Sequence, residues 1–300
     1  MSVANNLIVN SLSASTRQGY QRSWEHFSHI CNLYQQPFLP ASVRSLLVYI
    51  SHCSQTHTSY NTVVSRISAV AYIHKLNSVS DSSQHFLVKK ALLGYKNCSS
   101  RIDARKPVTL SLLHDICTKT SSLLPTPYDV SLLRAMFLLA FYGFLRLSEI
   151  TKTPSTSHVL SQNDVSFQFS SGKVCSVTIV FKSYKHSTGQ PFSLVINSQS
   201  TNFCPVQALH SYLQQRPQLP GPLFVFKSGR PVSPSYFNNF FKSCVALCIG
   251  NSKGFSSHSF RIGAATFSLQ HGYSSSQITK MGRWRSNAVD KYLRVSSFKI

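Results

Sequence analysis

Apolar positions recur with helical spacing along the first hundred residues. Tyr20, Trp24, Phe27 and Cys31 stand at i, i+4, i+7 and i+11 of a helix that begins near Ser15, and Pro37 and Pro40 end it. Val43, Leu46, Leu47 and Ile50 share one face of a second helix. Val64, Ile67, Val70, Ala71 and His74 align on a third, over about 61–76. A fourth covers about 83–95, capped by Ser82 or Ser83. Short connections between four amphipathic helices predict a small helical domain over 13–98. Residues 1–12 lack the pattern and read as a flexible arm.

One helical pattern stops and another starts around NCSSRIDARKP, which makes 99–107 the expected linker. Thr109 caps the next helix. After Pro125 and Pro127 comes a strongly apolar helix over 130–143, too short to cross a bilayer. The period then changes to that of strands. Residues 165–169 alternate, Ser171-Gly172 makes a turn, and 174–181 are rich in β-branched residues. A turn near His186 leads to a third strand over 192–196. Helices resume over 205–215 and 234–249. The reading is mainly α with a small antiparallel β-sheet (α+β), with a second domain over 108–300.

Charge changes the picture most. The 300 residues carry 30 Lys and Arg against 8 Asp and Glu, a net charge of +22. The excess is spread through the chain: 11 basic against 3 acidic residues in 1–106, and 19 against 5 in 107–300. Phosphate neutralisation is the usual reason to tolerate such self-repulsion, so a nucleic acid outranks a merely soluble basic surface or an anionic membrane. On the helical domain the basic set is Arg17, Arg22, Arg66, Lys75, Lys89 and Lys90, with Arg105 and Lys106 in the linker. Each alone reads as a solvated charge; together they suggest contacts to a DNA backbone. The start, MSVANNLIVN, lacks the basic and apolar regions of a signal peptide. The eight cysteines are scattered through core-like stretches, which suits reduced thiols in a cytosolic or nuclear protein.

Candidate chemistry concentrates in 256–294, SSHSFRIGAATFSLQHGYSSSQITKMGRWRSNAVDKYLR, which reads as three short helices. Ser256 or Ser257 caps the first, where His258 and Arg261 at i and i+3 share a face. Gly263, Ala264 and Ala265 allow close packing behind it. Ser274, Ser275 or Ser276 opens the second, which Gly282 ends. Ser286 or Asn287 opens the third, which bears Tyr292. A guanidinium fork binds phosphate oxygens in pairs, and a phenol can be a nucleophile. With Trp284, these side chains suggest a site for a phosphodiester. A second arginine, Arg146, follows the apolar helix in FLRLSEI. It is costly to bury without an anionic partner, which points to a functional anion site, with a purely structural pair to Glu149 as the alternative. Lys182 and Lys185 lie near a hairpin turn, where most lysines are simply solvated. Cys244 and Cys248, with His258 nearby, could be imagined as zinc ligands, but the apolar run FFKSCVALCI reads as a helix with buried thiols.

The ordered set of Arg146 with Glu149, Lys185, His258-Ser259-Phe260-Arg261, Trp284 and Tyr292 resembles the tyrosine recombinases, the phage-integrase-like site-specific recombinases. The helical first domain resembles their core-binding domain, so the likeness spans nearly the whole chain. YGFLRLSEI, HSFRIGAA and GRW look most like recombinases of eukaryotic mobile elements of the DIRS and Crypton groups. The resemblance implies a 3′-phosphotyrosine on Tyr292, with Arg146, Arg261, His258 and Trp284 around the phosphate. It implies Lys185 as the acid for the leaving 5′-oxygen and Glu149 as the residue that orients the network. It also implies double-stranded DNA as partner, dimers on each site that join in a synaptic tetramer, no metal, no cofactor, no ATP, and an intracellular, nuclear if eukaryotic, place of action. Many relatives have Gly-His or Gly-Gly-Trp where this chain has Gly282-Arg283-Trp284. Lys182 competes with Lys185 for the hairpin role, and nearness to the turn favours Lys185. Eight residues follow Tyr292, where many relatives have a longer tail that docks on a neighbouring subunit. Rival readings are a DNA-binding relative that no longer cleaves, a type IB topoisomerase-like enzyme, and an unrelated basic RNA-binding protein.

Overall fold

The computed structural model describes residues 3–99, 104–154, 156, 158–184, 187, 189–285 and 289–290. The chain divides into two compact units, Met1–Asp103 and Ala104–Ile300. The fold is mainly helical with one small antiparallel sheet, as the apolar spacing predicts.

The first unit contains α1 (Val3–Asn10), α2 (Ala14–Leu33), α3 (Val43–Gln55), α4 (Tyr60–Leu76) and α5 (Phe86–Cys98). Where the sequence pattern suggests a flexible arm, α1 is helical, yet none of its residues is buried. Arg17 ties its end down by donating to the carbonyls of Val9 and Leu12 at 2.8 and 2.6 Å. Ser13, Ser42 and Ser59 cap α2, α3 and α4 by accepting the N–H of Thr16, Ser45 and Thr62. α5 starts later than expected. The Asp81 carboxylate accepts the Ser83 N–H and draws Ser82–Gln84 into a 3₁₀ turn, so His85 caps α5 in place of Ser82 or Ser83. Phe27, Leu46, Tyr49, Ile67, Val70 and Val88 form the core. His74 is buried among them as a neutral ring: Nδ1 donates to the Val70 carbonyl at 2.8 Å and Nε2 accepts the Ala41 N–H at 2.7 Å.

The second unit contains α6 (Leu110–Leu123), α7 (Pro127–Tyr142), α8 (Leu147–Ile150), β1 (Val165–Ser170), β2 (Lys173–Phe181), β3 (Phe192–Asn197), α9 (Pro205–Gln215), α10 (Pro234–Ile249), α11 (His258–Gln270) and α12 (Ser275–Met281). Thr109 caps α6. α7 is apolar over most of its surface and is packed by α6, α9 and α11, while Arg134 donates to the Cys117 carbonyl and to the Thr120 and Ser121 hydroxyls of α6. The Phe137 ring meets those of Phe237, Phe241 and Phe260 at centroid distances of 5.4, 6.0 and 5.7 Å. The strands form the meander β1-β2-β3. Ser171 and Gly172 join the first two with φ of 49° and 74°, the two-residue turn whose twist suits a hairpin.

Gly263 sets how closely α11 approaches the chain before α6. A Cβ there would lie 1.8 Å from the Val108 carbonyl oxygen, and the Val108 N–H donates to the Ser259 carbonyl at 2.9 Å. Gly263→Ala must therefore push α11 outward, with an expected loss of about 3 kcal/mol. Urea denaturation checks this, and an unchanged midpoint contradicts it. Among the described residues, no helix is long and apolar enough to cross a membrane, and no group of three or more His, Cys, Asp or Glu is arranged to hold a metal ion.

Candidate active site

The site begins where α7 stops. At Gly143 a Cβ would meet the Leu139 carbonyl oxygen at 2.8 Å, and Phe144 reverses the chain with φ of 50°. That turn leaves the Phe144 carbonyl as an acceptor for side chains from distant segments. Two residues on, Arg146 stands at the start of α8. Its main-chain N–H donates to Glu149 Oε2 at 2.8 Å and its Nη1 to Oε1 at 3.1 Å. The local pair expected from FLRLSEI is thus present, but it is not the whole role of Arg146. Its Nη2 donates to the Arg283 carbonyl at 2.6 Å.

α11 supplies the second arginine. His258 is its exposed first residue and Arg261, one turn on, is buried. The expected serine cap is replaced. Ser257 has helical backbone angles and makes no side-chain cap, while Asn238 Oδ1 accepts the Ser257 N–H at 3.2 Å and Ser259 Oγ accepts the Ser256 N–H at 3.0 Å. Arg261 Nη1 donates to the Phe144 carbonyl and Nη2 to the Gly282 carbonyl at 2.7 Å. Its guanidinium lies 4.2 Å from the centre of the Trp284 ring. Ser274 opens α12 in a capping box with Gln277, and Gly282 ends it. The Trp284 indole folds back over Gly282 so closely that a Cβ there would lie 1.7 Å from the ring.

Arg283, which the sequence marks only as a departure within Gly282-Arg283-Trp284 and not as a site residue, joins the cluster. It is 5 % exposed. Its Nη2 donates to Glu149 Oε2 at 2.8 Å and to the Phe144 carbonyl at 3.2 Å, and its Nη1 to the Met281 carbonyl at 3.2 Å. The guanidinium stacks 3.8 Å from the centre of the Phe181 ring. Burial holds its pKa below the ordinary arginine value; Glu149 opposes that shift and Arg146 adds to it. Glu149, 1 % exposed, is shared by Arg146 and Arg283. Two guanidinium groups on one carboxylate leave a local excess of positive charge. Carbonyls orient a guanidinium without cancelling its charge, so the cluster is built to attract an anion. Arg146, whose side chain is 16 % exposed, is the most exposed of its three arginines.

The structure brings together Arg146, Glu149, Arg261 and Trp284, with His258 one turn from Arg261. Lys185 and Tyr292 lie outside the described residues. Lys182, the competitor of Lys185, holds Asp164 Oδ1 at 2.6 Å. The same carboxylate accepts the N–H and Oγ of Ser161 at 2.8 and 2.7 Å. Burial works against ionised Asp164, but these bonds outweigh it and keep its pKa below the usual value. Lys182 is therefore anchored at the end of β2. Cys244 and Cys248 both lie on α10, and burial pushes the Cys244 thiol up to about 12.

The expected DNA-contact residues divide in two. Arg22, Lys75, Lys89, Lys90 and Lys106 are exposed, although Lys75 is 3.6 Å from Asp81 and Lys90 sits over the Phe86 ring. Arg17, Arg66 and Arg105 are half-buried. Arg17 spends donors on the turn after α1, and Arg66 Nη1 lies 3.2 Å from His26 Nε2 and 3.5 Å from the Tyr49 hydroxyl. Both are tied to their own unit, which leaves less of each guanidinium for a phosphate.

No protein-family model matches the chain, and no curated protein sequence does. Solved structures do match. The Tn1549 transposon integrase in complex with circular intermediate DNA is 14% identical over 96% of this chain and 92% of that one, with a TM-score of 0.60. A lambda integrase dimer bound to a COC′ core site is 10% identical over 99% of this chain and 76% of that one, with a TM-score of 0.62. The XerH site-specific recombinase bound to palindromic difH substrate, a post-cleavage complex, is 13% identical over 90% and 72%, with a TM-score of 0.52. At such identities the likeness is one of fold: the chain has the fold of the tyrosine recombinases.

Proposed function

We propose that this protein is a site-specific DNA recombinase, or integrase, that cleaves and rejoins DNA through a covalent 3′-phosphotyrosine on Tyr292. The observation that carries the reading is the convergence of Arg146 and Arg261, from segments far apart in sequence, on the α12 end: their Nη2 atoms donate to the carbonyls of Arg283 and Gly282 at 2.6 and 2.7 Å. The fold shared with DNA-bound integrases and a net charge of +22 support the same partner.

In this reading the scissile phosphate lies against Arg146 and Arg261, which stabilise charge building on its non-bridging oxygens. Tyr292 Oη attacks phosphorus. Its proton passes to His258, since a free phenol has a pKa of about 10. The bond from phosphorus to the 5′-oxygen breaks, and Lys185 gives that oxygen its proton. Trp284 buttresses the Arg261 guanidinium and adds an N–H donor. Glu149 sets the plane of Arg146. The phosphotyrosine keeps the energy of the original linkage, so religation to another strand's 5′-hydroxyl asks for neither ATP nor a metal. Residues 13–98 act as the core-binding domain, with Arg22, Lys75, Lys89 and Lys90 on the DNA backbone and smaller shares from Arg17 and Arg66; Lys106, and to a lesser extent Arg105, add contacts from the segment that follows. Dimers on each site pair into a tetramer. Nuclear action in a mobile element follows from the wording of YGFLRLSEI, HSFRIGAA and GRW alone.

The test incubates the full chain with a pool of nicked duplexes of randomised sequence in EDTA. A protein–DNA adduct that survives SDS is expected, and sequencing its trapped ends gives the site. Binding without an adduct would instead favour a relative that has lost cleavage. Relaxation of supercoiled plasmid lacking the site would favour a topoisomerase.

A further inference from the structure

We propose that Arg283 is a positioning residue that holds Glu149, and through it Arg146, in the geometry that receives the phosphate; the role rests on the reading of function above. Its main chain and its side chain act on the same cluster from two directions. The main-chain carbonyl accepts Arg146 Nη2 at 2.6 Å, beside the Gly282 carbonyl that accepts Arg261 Nη2 at 2.7 Å. The side chain returns to Glu149 Oε2 at 2.8 Å and to the Phe144 carbonyl at 3.2 Å, the oxygen that also receives Arg261. Glu149 is thereby held between two guanidinium groups, with one oxygen on each and Oε2 also on the Arg146 N–H. Phe181, the last residue of β2, and Phe192, the first of β3, lie 3.8 and 5.8 Å from the Arg283 guanidinium. The base of the hairpin is therefore clamped to the same side chain.

Two features separate this arrangement from ordinary packing. Arg283 has φ of 51°, in the left-handed region that glycine enters without the clash of a Cβ. The backbone alone would favour glycine, so the side chain must be held there by its contacts. The guanidinium is also committed within the protein: Nη2 holds the Glu149 carboxylate and the Phe144 carbonyl, Nη1 holds the Met281 carbonyl, and Phe181 covers one face, so it acts through its neighbours.

The φ supplies a clean test. Arg283→Gly suits the backbone, keeps both carbonyls, and removes only the side chain. With the full chain and the duplex recovered by trapping, its single-turnover rate of adduct formation per active molecule should fall about 10²-fold, the scale of a small misplacement of reacting groups. Half-saturation by DNA should move by less than about threefold. Arg283→Lys, which keeps a charge but loses the planar fork, should recover part of that rate. Glu149→Gln combined with Arg283→Gly should be no slower than the slower single variant, because both act on Arg146 by one route. A merely structural residue would lower the active fraction and the melting temperature while leaving the rate per active molecule unchanged. That outcome overturns the proposal, as does full multiplication of the two losses in the double variant. Absence of an adduct from the unaltered protein overturns the reading of function and this role with it; an adduct formed equally fast by Arg283→Gly overturns this role alone.

Discussion

Arg261→Ala is expected to slow adduct formation by about 10²–10³-fold, the usual effect of losing one donor to a developing oxyanion, with the upper end favoured because a whole fork is lost. The residue is held by the Phe144 carbonyl, the Gly282 carbonyl and the Trp284 ring, so its plane is fixed before any phosphate arrives. Such preorganisation is what makes a buried donor more effective than one in water. Arg261→Lys should rescue little, because an ammonium cannot span both carbonyls and still present a flat pair of donors. The measurement is the single-turnover rate per active molecule, which separates a lost donor from a lowered population of folded protein. A rate within about threefold of the unaltered protein would remove Arg261 from the site.

Glu149→Ala carries the largest expected effect on stability. Its carboxylate is buried and answers Arg146 and Arg283 together, as well as the Arg146 N–H. Deleting it leaves two guanidinium groups facing each other with no carboxylate between them. Removing one partner of a buried ion pair costs about 3–5 kcal/mol. Glu149→Gln keeps the size and one acceptor, so its loss should be smaller. Urea denaturation of both variants, compared with the unaltered protein, checks the order. Equal stability of Glu149→Ala and the unaltered protein would mean that the pairings contribute nothing to the fold.

Much of the architecture is legible in the chain because period and punctuation agree there. The long, mostly apolar run before Gly143 predicts an internal helix, and α7 is one. Ser171-Gly172 between alternating segments dictates the hairpin of β1 and β2. Helix starts are less legible where serines are many. Ser82, Ser83 and Ser257 look like caps, but Asp81, His85 and Asn238 make better-placed contacts and displace them. Those partners are chosen by tertiary approach, which spacing does not encode.

The same limit explains the site. Arg146, His258 and Arg261 stand out because their order and neighbours are unusual. Arg283 is marked only as a departure in the Gly282-Arg283-Trp284 run, and one more arginine in a chain with 30 basic residues carries no sign of its role. Its meaning comes from Glu149 and Phe144, which are far away in sequence and adjacent in the fold. Among the surface candidates, Arg17 and Arg66 look like Arg22 in sequence, yet they are turned toward carbonyls and the His26–Tyr49 pair. A count of charges suggests a polyanionic partner; it does not say which charges would face it.

The most direct test is to digest the trapped adduct with protease and nuclease and sequence the peptide that carries nucleotide. One modified peptide is expected, with the phosphate on Tyr292 and the nucleotide attached through its 3′-oxygen, formed in EDTA and missing from Tyr292→Phe. A nucleotide on any other side chain, or linked through its 5′-oxygen, would contradict it.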